Sequence, residues 1–292
     1  METVAIHGRG ITETSLPFIK KTVSFLDRKG VSVLISESLK QDTPGIFDQY
    51  RSFVDSKDLK GCKAILSLGG DGTLLDTLAI VGQTELPILG INLGRLGFLA
   101  TISKNKIEEA LEAFLSGKYE IENRTLVQLT GAHESLVEKN YALNEFAILR
   151  KDTSSMIVVK SYLNGEFLNT YWADGLMVST PTGSTGYSLS CGGPVLMPTA
   201  SNLLITPVSP HNLNVRPLVI PDNATLQFEV ETRDKSFLIS LDSRSSSIDS
   251  QIQSFEIKKA DFFAKLVKIK GDTFIDTLRT KLTWGLDKRN YF

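Results

Sequence analysis

Over its first part the chain alternates short apolar runs with amphipathic stretches. "TVAIHG", "VSVLI", "AILSL" and "LPILGIN" are dominated by β-branched and aliphatic residues and read as strands. Residues 16–29 carry apolar side chains at helical spacing and stop at Gly30, a C-terminal capping residue. Helical patterning also marks residues 46–54, 73–81 and 106–115. Strand–helix alternation with short connections predicts a parallel sheet covered by helices. From about Arg124 the texture changes to short runs such as "TLVQLTG", "NYALNEFAIL", "TLQFEVE" and "SFLISLDS", bounded by Gly, Pro, Asn and Asp. Asn164-Gly165 between two such runs is a hairpin signal. The tail "DTFIDTLRTKLTW" returns to helical spacing through Phe274, Ile275, Leu278 and Leu282. The expected fold is therefore an α/β N-terminal domain followed by an all-β domain. The boundaries expected are 1–123 with 271–292 for the first and 124–270 for the second.

Composition narrows the function classes. The 32 basic residues are matched by 33 acidic ones, which argues against a dedicated nucleic-acid surface. No apolar run approaches the roughly 20 residues that span a bilayer, so no membrane association is expected. "METVAIHGRG" has neither a basic start nor an apolar signal core, and Cys62 and Cys191 cannot build a disulfide framework; both observations point to a cytoplasmic protein.

The densest chemical signal is "SLGGDGTLLDTL", where a strand hands over to a helix. Glycines there let backbone N–H groups approach a phosphate, and Asp71 among them suits phosphoryl transfer, as proton acceptor or as organiser of a divalent ion. A tight turn in which Asp71 caps the helix is the plainer alternative. No GxGxxG dinucleotide fingerprint and no GxxxxGK[ST] P-loop is present. A second dense segment, "ADGLMVSTPTGSTGYSLSCGGP", packs hydroxyls and glycines between apolar runs, a surface able to embrace a polar ligand. "TGSTGY" does not match the nucleophile elbow of serine hydrolases. His7, His133 and His211 show no metal-binding spacing, which excludes a structural zinc motif; His211 and Arg216 lie in a Pro-rich turn where a structural role is equally expected.

Taken in order, "GGDGT" at 69–73, "GINLGRLGFLA" at 90–100, Asn144-Glu145, "DGLMVSTPTGSTGYSLSCGGP" at 174–194, "PHNLNVRPLVI" at 210–220 and Asp242-Ser243 resemble the NAD kinase family of bacterial type. "GGDGT" alone is shared with lipid kinases; the hydroxyl-rich block is far more specific. The resemblance implies transfer of a phosphoryl group from ATP or polyphosphate to the 2′-hydroxyl of the adenosine ribose of NAD. It also implies a Rossmann-like first domain to which the C-terminal helix returns. Asp71 matches the catalytic aspartate, and Gly69, Gly70, Gly72 and Thr73 the donor-phosphate cradle, with Mg²⁺ carried by the donor phosphates and no dedicated protein cluster. Gly72, Phe98, Asn144, Glu145, Asp174, Thr182, Thr185, Gly186, Tyr187, Ser188, Leu189, Ser190 and Asp242 match positions around NAD. Trp172 stands where relatives commonly carry a polar or small residue, placed to reshape the pocket or to pack against a neighbouring subunit. A homodimer or homotetramer and NADPH feedback are further implications. A lipid kinase, or a silent NAD(P)-binding sensor, are the alternatives.

Overall fold

The computed structural model describes residues 2–94, 97–131, 139–151, 155–251, 254–271 and 273–284. The chain divides into two units, Met1–Asn123 with Ala264–Phe292, and Arg124–Phe263.

The first unit is built from β1 (Thr3–His7), α1 (Leu16–Arg28), β2 (Ser32–Ser36), α2 (Glu37–Asp42), β3 (Arg51–Phe53), β4 (Ala64–Gly69), α3 (Asp71–Val81), β5 (Ile88–Asn92), β6 (Ile102–Ser103), α4 (Ile107–Leu115) and β7 (Tyr119–Arg124). In the second lie β8 (Val127–Thr130), β9 (Tyr141–Ala142), β10 (Glu145–Leu149), β11 (Ile157–Leu163), β12 (Glu166–Ala173), β13 (Gly175–Ser179), α5 (Tyr187–Ser190), β14 (Asn202–Val208), β15 (Leu218–Pro221), β16 (Leu226–Glu231), β17 (Ser236–Leu241), β18 (Arg244–Asp249) and β19 (Ser254–Lys259). The chain then re-enters the first unit with β20 (Ala264–Ile269) and α6 (Phe274–Leu282).

The sheet of the first unit runs β3-β2-β1-β4-β5-β20-β7, with β6 beside β5. The pairs from β3 to β5, and β5 with β20, are parallel. Strands β4 and β5 are buried almost throughout, as near-continuous aliphatic runs covered on both faces must be. Helix α1 turns Ile19, Val23 and Leu26 inward at helical spacing, and α4 adds Ile107, Leu111 and Phe114 to the same core.

Two expectations are corrected here. The stretch 46–54 is not helical: after α2 the chain turns through Pro44 and Gly45 and lays Arg51–Phe53 as an edge strand along β2, with Phe53 buried. The return to the first unit begins at Ala264 and not at 271, because β20 adds a strand beside β5.

The second unit is a pair of six-stranded sheets, β15-β14-β13-β10-β17-β18 and β12-β11-β16-β19-β8-β9, with antiparallel pairing throughout. Their inner faces share one core in which Phe146 and Phe237 of one sheet meet Phe255 of the other, the last pair edge to face at 5.8 Å. Asn164 and Gly165 form the hairpin turn between β11 and β12.

Truncating the fully buried ring in Phe114→Ala is expected to cost about 3–5 kcal/mol. Val54→Ser, at an exposed position, is expected to stay within about 0.5 kcal/mol. Denaturant unfolding checks both, and equal midpoints would contradict the assigned core.

Candidate active site

In the first unit β1 and β4 lie side by side, but β1 leads through α1 to β2 on one side while β4 leads through α3 to β5 on the other. Such a reversal opens a crevice at the carboxyl ends of the strands, the usual ligand position in open α/β sheets. The segment 69–73 stands at that point. Gly70 caps α3 with extended backbone, and the amides of the first turn lack intrahelical partners, so they form an anion-receptive end. Arg9, after β1, reaches over Gly72 and pairs with Asp76 on the next turn of α3.

Asp71 does not stand free among its glycines. Its Oδ2 accepts the Phe98 N–H at 2.8 Å, and its Oδ1 accepts the N–H groups of Leu99 and Ala100 at 3.1 Å each. Gly97 makes this possible: a Cβ there would lie 1.8 Å from Asp71 Oδ1. Phe98, placed by that anchor, is half-buried, with the Phe274 ring of α6 at 6.4 Å and Lys281 Nζ 5.8 Å from its centroid. Thr73 is buried, and the Thr77 hydroxyl lies 2.7 Å from its carbonyl.

A second carboxylate does the same in the other unit. Asp242, at φ 55° after β17, accepts the N–H of Leu143 at 2.9 Å, of Asn144 at 2.7 Å and of Glu145 at 3.4 Å. Its own N–H donates to the Glu145 carbonyl at 3.0 Å. Arg244 Nη2 stands 3.9 Å from Asp242 and also donates to the Tyr141 carbonyl. The turn so fixed is laced to the hydroxyl-rich segment: the Thr180 N–H donates to the Asn144 carbonyl and the Thr180 hydroxyl to that of Leu143. A Cβ at Gly183 would lie 2.0 Å from the Asn144 carbonyl oxygen, so only glycine fits between the two turns.

Of the hydroxyls in this segment, several are spent internally. Thr182 accepts from Arg124 at 3.1 Å, Ser184 bonds to the Pro181 carbonyl and the Leu196 N–H, and Ser188 pairs with Thr206 at 2.8 Å, all three being buried. Gly186, Tyr187 and Ser190 are exposed, with Thr185 and Leu189 intermediate. Asp174 pairs with Arg150 at 3.1 Å. Trp172 is 48% exposed on edge strand β12 and lines a groove of about 530 Å³ with Arg150, Met156 and Arg233. Arg216 binds the carbonyls of Leu213 and Val215 in its own turn, and His133 lies outside the described residues.

The electrostatics single out three groups. Burial pushes the Asp242 carboxyl up against the opposing pull of the Leu143 and Asn144 amides and of Arg244. Burial, then the charge of Asp242, pushes the Glu145 carboxyl up to about 8. Burial, then Arg9, lowers His7 to about 4; its Nδ1 faces the Ser36 hydroxyl at 3.1 Å. The sequence reading did not single out Gly97, Thr180, Arg124, Arg150 or Arg244. Gly97 lay in the quoted "GINLGRLGFLA", but nothing local shows that its missing Cβ makes room for a carboxylate 26 residues earlier in the chain.

Gly97→Ala and Gly183→Ala are each expected to lose about 2–4 kcal/mol by collision with Asp71 and with the Asn144 carbonyl. Gly94→Ala, which meets nothing, is expected to stay within about 1 kcal/mol. Thermal melts decide. A neutral buried His7 must be charged on acid unfolding, so its contribution is present above pH 6.5 and is lost as pH falls toward 4. His7→Phe is therefore expected to flatten the stability–pH curve across that window, and an unchanged slope would contradict it.

Comparison with known proteins bears on both halves of the chain. The model of the ATP-NAD kinase N-terminal domain matches residues 4–119, and that of the ATP-NAD kinase C-terminal domain residues 143–269. Among curated relatives, the NAD kinases of Cytophaga hutchinsonii and Flavobacterium psychrophilum are each 47% identical, covering 98% of this chain and 99% of theirs. A yeast NADH kinase solved with NADH shares the fold at TM-score 0.85 and 22% identity, over 98% of this chain and 89% of that one. An Archaeoglobus fulgidus NAD kinase solved with ATP gives 0.75 at 27% identity, over 96% and 98%. Neither the lipid-kinase nor the silent-sensor alternative finds support among these relatives. Among the described residues no helix is long and apolar enough to cross a membrane. With both halves matched and near-complete coverage by close relatives, the chain belongs to the NAD kinase family.

Proposed function

We propose that this protein phosphorylates the 2′-hydroxyl of the adenosine ribose of NAD, with ATP as donor, to give NADP. The observation that carries the reading is the Asp71 anchor beside the open amides of α3. Those amides, with Arg9, receive the donor phosphates. A carboxylate offers about four lone-pair sites, and three amide donors fill three of them. The remaining site, on Oδ2, accepts the 2′-hydroxyl proton as that oxygen attacks the γ-phosphorus and the bond to the ADP oxygen breaks. The three amides hold the carboxylate in a single orientation throughout.

In the second unit Asn144 and Glu145 address the nucleoside, Tyr187 offers an exposed ring face, and Asp174 adds an acceptor held by Arg150. Thr182 and Ser188 act by fixing the segment from which Thr185, Gly186, Leu189 and Ser190 are presented. Among the described residues no group of three His, Cys, Asp or Glu converges to hold a metal ion. A divalent cation such as Mg²⁺ comes with the donor phosphates, where it neutralises charge. Phe167 and Trp172, exposed on edge strand β12, support a homo-oligomer. A cytoplasmic setting and NADPH as feedback ligand complete the reading.

Purified protein with NAD, ATP and Mg²⁺ is expected to yield NADP, detected by a dehydrogenase that accepts only NADP. Asp71→Asn is expected to lose about 10²–10⁴-fold in turnover. Its melting temperature should fall by only a few degrees. Turnover comparable to wild type would remove Asp71 as the proton acceptor; loss of NADP only in step with loss of folded protein would leave it an anchor alone.

A further inference from the structure

Glu145 has a peculiarity that a ribose-binding carboxylate does not need. Among the described residues its Oε2 is sealed from solvent and has no hydrogen-bond partner, although the residue as a whole is partly exposed. A sealed, unpartnered oxygen is tolerable on a neutral acid and costly on an anion. Among the described residues the groups around it supply no compensating positive charge. Asp242, whose own carboxyl is pushed up by burial and held toward the anion by the amides of 143–145 and by Arg244, adds a negative field. Arg244, the nearest cation to that field, stands 3.9 Å from Asp242 and is shared with two carbonyls. On the neighbouring segment Tyr187 bonds to Cys191 and feels both Glu145 and Asp174, while Asp174 is neutralised by Arg150. Gly186 packs against it: a Cβ there would stand 3.6 Å from Glu145 Oε2, in ordinary contact.

We propose that the burial of its unpartnered oxygen, reinforced by Asp242 as a positioning residue, keeps Glu145 a neutral carboxylic acid, and that the dinucleotide is held by the O–H of this acid form. The inference rests on the NAD kinase reading and deepens it. Asp242 then has two effects through one carboxylate: its hydrogen bonds shape the Asn144–Glu145 turn, and its charge disfavours a second anion beside it. The upward displacement of Glu145 to about 8 sets where this acid form is lost. Below that pH the site is charged with its proton; above it, binding must take a proton up from solvent.

The test is the KM for NAD and kcat of the full chain between about pH 6.5 and pH 9.5 at saturating ATP. It is paired with calorimetry of NAD binding near pH 8.5 in two buffers of different ionisation enthalpy. For wild type the KM is expected to be flat at the lower end and to rise about tenfold per pH unit above the inflection, with kcat moving less and up to one proton taken up on binding. In Asp242→Asn the inflection is expected at lower pH. In Glu145→Gln the inflection and the proton uptake are expected to vanish, whatever the absolute KM. A wild-type KM flat to the upper end without proton uptake, an inflection that survives in Glu145→Gln, or one that fails to move down in Asp242→Asn would each overturn the proposal. Should Asp242→Asn not fold, the other two proteins decide. Absence of NADP from wild type at every pH would instead overturn the kinase reading.

Discussion

A carboxylate that accepts three consecutive backbone N–H groups is the constraint on which the candidate turns of each unit depend. It occurs in each unit: Asp71 gathers the amides of residues 98–100, and Asp242 those of residues 143–145. Hydrogen bonds to an ionised acceptor are about twice as strong as neutral ones, and three from successive residues leave the turn little freedom. What each turn presents is thereby fixed: the Phe98 ring in one unit, Asn144 and Glu145 in the other.

Such anchors need room, and the two glycines at contact distance provide it. Gly97 yields its Cβ space to the Asp71 carboxylate, and Gly183 to the Asn144 carbonyl. The surrounding framework is correspondingly stiff. The parallel strands that end at the first anchor are buried on both faces, and the paired sheets behind the second share an aromatic core. The electrostatic tension sits on Glu145, Asp242 and His7; among the described residues Glu145 Oε2 and His7 Nε2 are sealed without a hydrogen-bond partner, as is common where a fold is shaped for a ligand.

Much of this was legible in the sequence because the signals are local. The aliphatic strands, the helix stopped by Gly30, the Asn164-Gly165 hairpin and the change of texture near Arg124 all follow from periodicity and turn chemistry. The segment 46–54 misled because its apolar residues fit a helix as well as a turn and a short edge strand, and only pairing with β2 decides between them. Residues 264–269 were expected within the all-β domain, because no local pattern tells which sheet a strand will join. The hydroxyl-rich block was found, but which of its hydroxyls turn inward depends on partners far along the chain, such as Arg124 and Thr206. The Asp71 motif was visible, its three amide donors were not, since they lie 27 to 29 residues away.

The central claim, that these two carboxylates hold the ligand-facing turns, is most directly tested by amide hydrogen exchange in Asp71→Ala and Asp242→Ala beside wild type. The account predicts that protection is lost at residues 98–100 in the first variant and at 143–145 in the second, while β4, β5 and the β10–β17 pairing keep theirs. Unchanged protection at both turns would contradict it.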